Sequence, residues 1–176
     1  MDNHPKVLAI CGSTRAQSAN LLLLQYLQKT AAPYFNINIF TGLDQLPHFN
    51  PDLDTDSPPG EILEFRRLVE EADGIIICTP EYVFSVPGSL KNALEWFVST
   101  TLLNDKPTAL ITASSSGDLA HKELKLIKDT LGARSNDDTI LLIKSIKSKM
   151  STNGEISNTE LIEQLKRVVL SLNALL

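Results

Sequence analysis

The sequence predicts an α/β fold, one three-layer sandwich in which helices cover both faces of a parallel β-sheet. Short apolar runs rich in β-branched residues recur along the chain without polar interruption, as strands buried on both faces require. Segments with apolar residues at helical spacing lie between them, and this alternation is the pattern of a parallel sheet with crossover helices. Size and composition agree. A chain of 176 residues, 43% hydrophobic and 21% charged, can bury a full core as a single domain over residues 1–176 and is too short for two.

The elements follow in order. Residues 7–11 form the first strand, and a helix begins at Ser18, Ala19 or Asn20 and runs to about Ala32, with Leu21 to Leu24 and Leu27 able to lie on the sheet. The second strand is 37–41, followed by a helix over 61–71 with Ile62, Phe65, Leu68 and Val69 on one side. The third strand, 74–78, leads to a helix over 89–99 carrying Leu90, Ala93, Leu94 and Phe97. Strand 109–113 precedes a helix over 119–131, and strand 140–143 precedes the last helix, 158–173. In that last helix Leu161, Ile162, Leu165, Val168, Val169 and Leu172 make an amphipathic stripe. Two stretches break the rhythm. Residues 42–60 hold Pro47, Pro51, Pro58 and Pro59 and read as a long surface connection, and 145–158 read as a polar, Lys-rich loop.

A formal charge of −5 gives no global basic field, so nucleic acid is not an expected partner. No apolar run approaches the ~20 residues of a membrane span, and the N-terminal segment lacks a secretory apolar region, so no membrane partner is expected and the location read is cytoplasmic. Cys11 and Cys78 each end an apolar run and read as buried thiols without a disulfide.

Two constellations carry chemistry. The segment from Cys11 to Asn20 joins the first strand to the first helix, at the edge where doubly wound sheets bind ligands. Unpaired helix N–H groups favour an anion there. With Ser13, Thr14, Ser18, Arg15 and Asn20 it suits a phosphate monoester, the hydroxyls and N–H groups wrapping the oxygens and Arg15 supplying charge. The plainer reading is a polar turn with Ser18 as helix N-cap. There is no Gly-Lys-Ser/Thr of a nucleotide P-loop and no G-x-G-x-x-G. A low-molecular-weight tyrosine phosphatase needs Arg six residues after its cysteine, where this chain has Gln17. The second constellation, Thr79 to Trp96, follows the third strand. Pro80, Pro87 and Gly88 stiffen it, and Tyr82 and Phe84 offer flat apolar surface to a planar ring, with ordinary packing as the alternative.

Together these segments resemble the NADPH-dependent FMN reductase family of flavodoxin-like proteins. The family pattern G-S-x-R-x-x-S-x-N is matched by Gly12, Ser13, Arg15, Ser18 and Asn20. The later T-P-E-Y-N-x-S-x-P-G-x-L-K-N-A-x-x-W is matched at Thr79, Pro80, Glu81, Tyr82, Ser85, Pro87, Gly88, Leu90, Lys91, Asn92, Ala93 and Trp96. The resemblance spans nearly the whole chain and implies a flavodoxin-like sandwich whose five parallel strands take the order 2-1-3-4-5. It implies FMN held non-covalently, its phosphate on Ser13, Arg15, Ser18 and Asn20, its ring against Pro80, Glu81, Tyr82, Val83 and Phe84. Ser114, Ser115, Ser116 and Gly117 would reach the other side of the ring.

NAD(P)H would serve as co-substrate, reducing the flavin and leaving before a quinone, free flavin, azo compound or metal oxyanion is reduced in a ping-pong cycle. The cofactor carries the electrons, so no catalytic acid or base and no metal is expected. A small-molecule acceptor and a homodimer or homotetramer complete the implied picture.

The chain departs from the pattern at Val83, where the family has Asn, and after Gly117, where Asp118-Leu119-Ala120-His121 replaces a Gly-Gly segment followed by Arg. Asp118 brings negative charge near the expected cofactor. These departures motivate a second reading, an FMN-binding redox sensor or docking module with weak turnover.

The remaining candidates read plainly. Asp52, Asp54 and Asp56 mimic a calcium loop but lack its Gly and Glu, and His4, His48 and His121 show no ligand spacing. Trp96 reads as core or subunit packing. Lys144, Lys147 and Lys149 read as a solvated basic run, with a phosphate tether for NADPH as the alternative. Cys11 and Cys78, on adjacent strands, are expected near one another beneath the flavin.

Overall fold

The computed structural model describes residues 4–176. Five parallel strands, β1 (Lys6–Cys11), β2 (Asn36–Phe40), β3 (Gly74–Thr79), β4 (Thr108–Ala113) and β5 (Ile140–Ile143), form one sheet in the order β2-β1-β3-β4-β5. This is the order the resemblance implies. Around the sheet lie α1 (Ala19–Thr30), α2 (Gly60–Glu70), α3 (Gly88–Glu95), α4 (Asp118–Thr130), α5 (Ile146–Lys149) and α6 (Thr159–Leu175).

The alternation of side chains along each strand divides the core in two. Val7, Ala9, Cys11, Ile76, Cys78 and Ile111 pack beneath Leu23, Leu24 and Leu27 of α1 and Leu165, Val169 and Leu172 of α6. Leu8, Ile10, Ile75, Ile77 and Leu110 face the opposite layer, where Ile62 and Phe65 of α2, Leu90 of α3 and Leu124 of α4 lie. Each fully buried Leu, Ile or Phe contributes about 1.5–3 kcal/mol of burial free energy. No helix among the described residues is long and apolar enough to cross a membrane.

Three expectations need correction. Residues 42–60 are more than a surface connection: two short 3₁₀ turns, Leu43–Gln45 and Pro51–Leu53, form there, and Leu43 and Leu46 are buried. Asn92 binds this stretch through both ends of its amide, accepting from Phe49 N–H at 2.7 Å and donating to Pro47 C=O at 3.0 Å. Trp96 adds an Nε1–H donation to Pro47 C=O at 2.9 Å and an edge-on contact with Phe49.

The helix expected over 89–99 ends at Glu95. Beyond it the chain tightens, Phe97 N–H donating to Leu94 C=O and Val98 N–H to Glu95 C=O, while the Arg66 guanidinium takes the Trp96 carbonyl that would continue the helix. The expected loop over 145–158 contains α5, whose Ile146 is buried, and a bridge between Met150 and Ile156 closes the turn behind it.

Candidate functional site

The C-terminal ends of β1, β3 and β4 release three loops side by side. Cys11 and Cys78 are register partners, and Gly12 N–H donates to Cys78 C=O at 2.7 Å. A Cβ on Gly12 would stand 2.6 Å from Thr79 Oγ1, so only glycine lets the first two loops depart this closely.

In the first loop, Ser13 and Ser18 are buried and Arg15 is exposed. The Ser18 hydroxyl caps α1, accepting from Leu21 N–H at 3.0 Å, and Ser13 Oγ accepts a long bond from Arg15 N–H at 3.4 Å. Asn20 turns inward. Its Nδ2 donates to Ala113 C=O at 3.3 Å and its Oδ1 accepts from the Cys78 thiol, so it ties the start of α1 to β3 and β4. The backbone N–H groups of Thr14, Ala16 and Gln17 make no hydrogen bond among the described residues, which leaves a cluster of donors at the head of α1. Such a cluster, with the helix dipole behind it and an unpaired guanidinium beside it, fits a phosphate group.

The second loop narrows into a two-residue turn. Tyr82 and Ser85 exchange backbone hydrogen bonds at 3.0 and 3.1 Å, and the tip residues Val83 and Phe84 take φ of 51° and 59°. That is the mirror-image turn usually built from Asn-Gly. A β-branched and an aromatic residue there carry strain of about 1–3 kcal/mol each. The turn presents its apolar tip to solvent, with Tyr82 52%, Val83 94% and Phe84 74% exposed. Glu123 of α4 holds its far side, accepting from the Ser85 hydroxyl at 2.6 Å and from Val86 N–H at 3.0 Å. Pro80 accepts from Thr79 Oγ1 through its carbonyl at 3.0 Å.

Glu81 crosses to the third loop. Its carboxylate accepts from the N–H groups of Gly117, Leu119 and Ala120 at 3.2, 3.0 and 3.0 Å, capping α4. Gly117, at φ 92°, makes the left-handed step into α4. Ser114 donates its N–H to Ile143 C=O, Ser114 and Ser115 accept from Ile146 and Ser145 N–H, and the Ser116 hydroxyl donates to Asp118. Asp118 lies 2.7 Å from Lys144, whose ammonium, with the Ser116 hydroxyl, holds its carboxyl below the usual carboxylate range. The negative charge expected from Asp118 is therefore paired.

His121 contacts Thr112 Oγ1 through Nδ1 at 2.9 Å, and burial followed by the Lys125 charge pushes its pKa down. Burial raises the Cys11 thiol, whose S–H donates to Ser13 C=O, and raises Cys78 further, with Cys11 adding to the effect. Both thiols are free and protonated at neutral pH, which removes the thiolate a phosphatase needs. Asp54, from the calcium-like run, pairs with Arg66 at 2.7 Å.

The structure thus brings together the three loops that the sequence singles out. It turns Asn20 and Glu81 toward neighbouring backbone, and adds Glu123 and Lys144. No motif marks Glu123, whereas Lys144 stands out in sequence only as part of a basic run.

The family model for NADPH-dependent FMN reductases matches residues 5–145. The chain belongs to this family. It is accordingly an NAD(P)H-dependent oxidoreductase with FMN as cofactor and NAD(P)H as co-substrate. It is 31% identical over 167 residues to the NADH:(hydroxy)cinnamate reductase subunit CrdA of Vibrio ruber, covering 92% of this chain and 82% of that protein. It is 33% identical over 122 residues to the quinone reductase of Escherichia coli K12, covering 66% of this chain and 63% of the other. Among solved structures it is similar to FerB, a flavoenzyme NAD(P)H:(acceptor) oxidoreductase from Paracoccus denitrificans, with TM-score 0.82 and 27% identity over 97% of this chain and 96% of that one. Family membership agrees with the donor-rich head of α1.

Proposed function

We propose that the chain works as one cytoplasmic FMN-binding domain that passes electrons from NAD(P)H to a quinone or similar small acceptor in a ping-pong cycle. The observation that supports this best is the first loop. Thr14, Ala16 and Gln17 offer N–H groups unpaired among the described residues beside Arg15, immediately next to the strand that carries the Tyr82–Ser85 turn. Adjacent strands lie about 4.8 Å apart, so a phosphate on the first loop leaves the attached ring within reach of the second.

In this reading Arg15 and the loop N–H groups hold the phosphate, with Ser13 and Ser18 lining its seat. Asn20 acts from behind by keeping the head of α1 against the sheet. Pro80, Tyr82, Val83 and Phe84 form one wall for the ring, and Glu81 locks that wall to Ser114, Ser115, Ser116 and Gly117 on the other side. When bound, FMN supplies hydride acceptance from the nicotinamide and electron delivery to the second substrate. The residues contribute binding, stacking and orientation, and no side chain is needed as acid or base. The open tip at Val83 and Phe84 suits acceptors of varied shape, including free flavins, azo compounds and metal oxyanions, in a homodimer or homotetramer.

Initial velocities measured at several NAD(P)H and benzoquinone concentrations test the cycle. Parallel double-reciprocal lines are expected, and intersecting lines would overturn the ping-pong order. A yellow protein that neither NADH nor NADPH bleaches would instead favour the sensor reading, for which the exposed Val83–Phe84 tip would be the docking element.

A further inference from the structure

A cavity of about 340 Å³ opens beside the first loop, between the head of α1 and the segment that follows β5. Leu22 and Met150 give it an apolar floor, and Arg15, Lys147, Ser151 and Thr152 give it a cationic and hydroxyl-bearing rim. No carboxylate of the described residues lines it. Among the described residues neither Arg15 nor Lys147 has an ion pair, whereas nearby Lys144 is neutralised by Asp118. Two unpaired cations on one concave rim repel each other until an anion joins them.

Lys147 is also held in place. Ser145 and Ile146 donate their N–H groups to Ser115 and Ser114 of the third loop, Ile146 and Met150 are buried, and Met150 N–H closes back on Ile146 C=O at 3.2 Å. The turn beyond rests on α1, where a Cβ at Gly154 would meet Leu22 at 3.4 Å. The ammonium therefore rises from an anchored turn, and the cavity has the volume of a small ligand pocket.

We propose that this cavity is a phosphate-monoester site in which Lys147 is the second cation and Arg15 is shared with the first loop. A monoester carries about −1.5 to −2 charges at neutral pH, which one guanidinium alone does not balance. The proposal rests on the reading of the first loop as the cofactor's phosphate seat. Two sources of the same chemistry lie within the proposed reaction, the phosphate of FMN and the 2′-phosphate of NADPH.

Lys147→Gln and Thr152→Glu, both at exposed positions, test it, the second placing a carboxylate on the rim. On the FMN-loaded protein, calorimetry compares adenosine 2′,5′-bisphosphate with 5′-AMP, and displacement of bound FMN by riboflavin gives the FMN preference. Each variant should reduce one of these two phosphate preferences about tenfold. A fall in the bisphosphate preference, with KM for NADPH raised and KM for NADH unchanged, assigns the site to the donor. A fall in the preference for FMN over riboflavin assigns it to the cofactor. Both preferences within twofold of wild type in both variants would overturn the proposal. If wild type itself does not distinguish FMN from riboflavin, the reading of the first loop fails, and the bisphosphate comparison still decides the cavity.

Discussion

The Glu81 carboxylate, at the end of β3, accepts the N–H of Gly117, at the start of α4, at 3.2 Å, and binds Leu119 and Ala120 N–H with its other oxygen. One side chain thereby joins two loops that follow adjacent strands and supplies the cap that α4 lacks, since Gly117 has no side chain to offer. Glu81→Gln keeps the shape, but its amide nitrogen donates and cannot accept, so the N–H partners of one oxygen are left unpaired and the other oxygen makes only neutral bonds. We expect a loss of about 1–3 kcal/mol in urea unfolding, together with faster release of FMN. Unchanged stability and unchanged release would mean that this link does not hold the loops.

Val83 and Phe84 occupy left-handed positions that their side chains disfavour. Replacing the pair by Asn-Gly should relax the turn and stabilise the fold by about 1–2 kcal/mol, read as a higher urea midpoint. If the tip also shapes acceptor binding, KM for quinone will change while KM for NAD(P)H stays. A lower midpoint would contradict the assignment of strain.

Asn92 fastens residues 42–60 to α3 through Phe49 and Pro47. Asn92→Ala leaves the Phe49 N–H without its partner, whereas Pro47 C=O keeps the Trp96 indole. A cost of about 1–3 kcal/mol is expected, and limited proteolysis should now cut within residues 42–59.

His121 has a folded pKa below its ordinary value, chiefly from burial. The unfolded chain then binds a proton more readily, so the contribution of this histidine to stability is complete above about pH 6.5 and is lost as pH falls from there through the folded pKa. Melting temperatures measured from pH 5 to 8 should rise toward neutrality, and His121→Gln should flatten that rise. An unchanged slope in the variant would show that other groups set it.

Legibility in the sequence follows physical locality. The β5 boundaries match the run 140–143, because a strand buried in a parallel sheet announces itself by continuous apolarity. The N-cap at Ser18 was equally readable, since its effect spans three residues. What was hidden depends on contacts across the fold. The early end of α3 comes from Arg66 on another helix, and α5 is anchored by the burial of Ile146 and by the N–H groups of Ser145 and Ile146, which donate to the carbonyls of Ser115 and Ser114, 30 or more positions earlier. The internal partners of Asn20 and Glu81 are hidden for the same reason: the Ala113 carbonyl and Cys78 thiol that Asn20 meets, and the N–H groups that Glu81 caps, lie on neighbouring strands and loops, which only the sheet order brings near.

The central claim is that the first loop grips the phosphate of FMN through Arg15 and the free N–H groups at the head of α1. Its most direct test is fluorescence titration of FMN and riboflavin against wild type and Arg15→Ala. The account predicts that the substitution weakens FMN by about 10- to 150-fold, the 1.5–3 kcal/mol of a charge-assisted contact, and leaves riboflavin unchanged. Equal affinity for both flavins in wild type, or no loss of FMN affinity in Arg15→Ala, would contradict it.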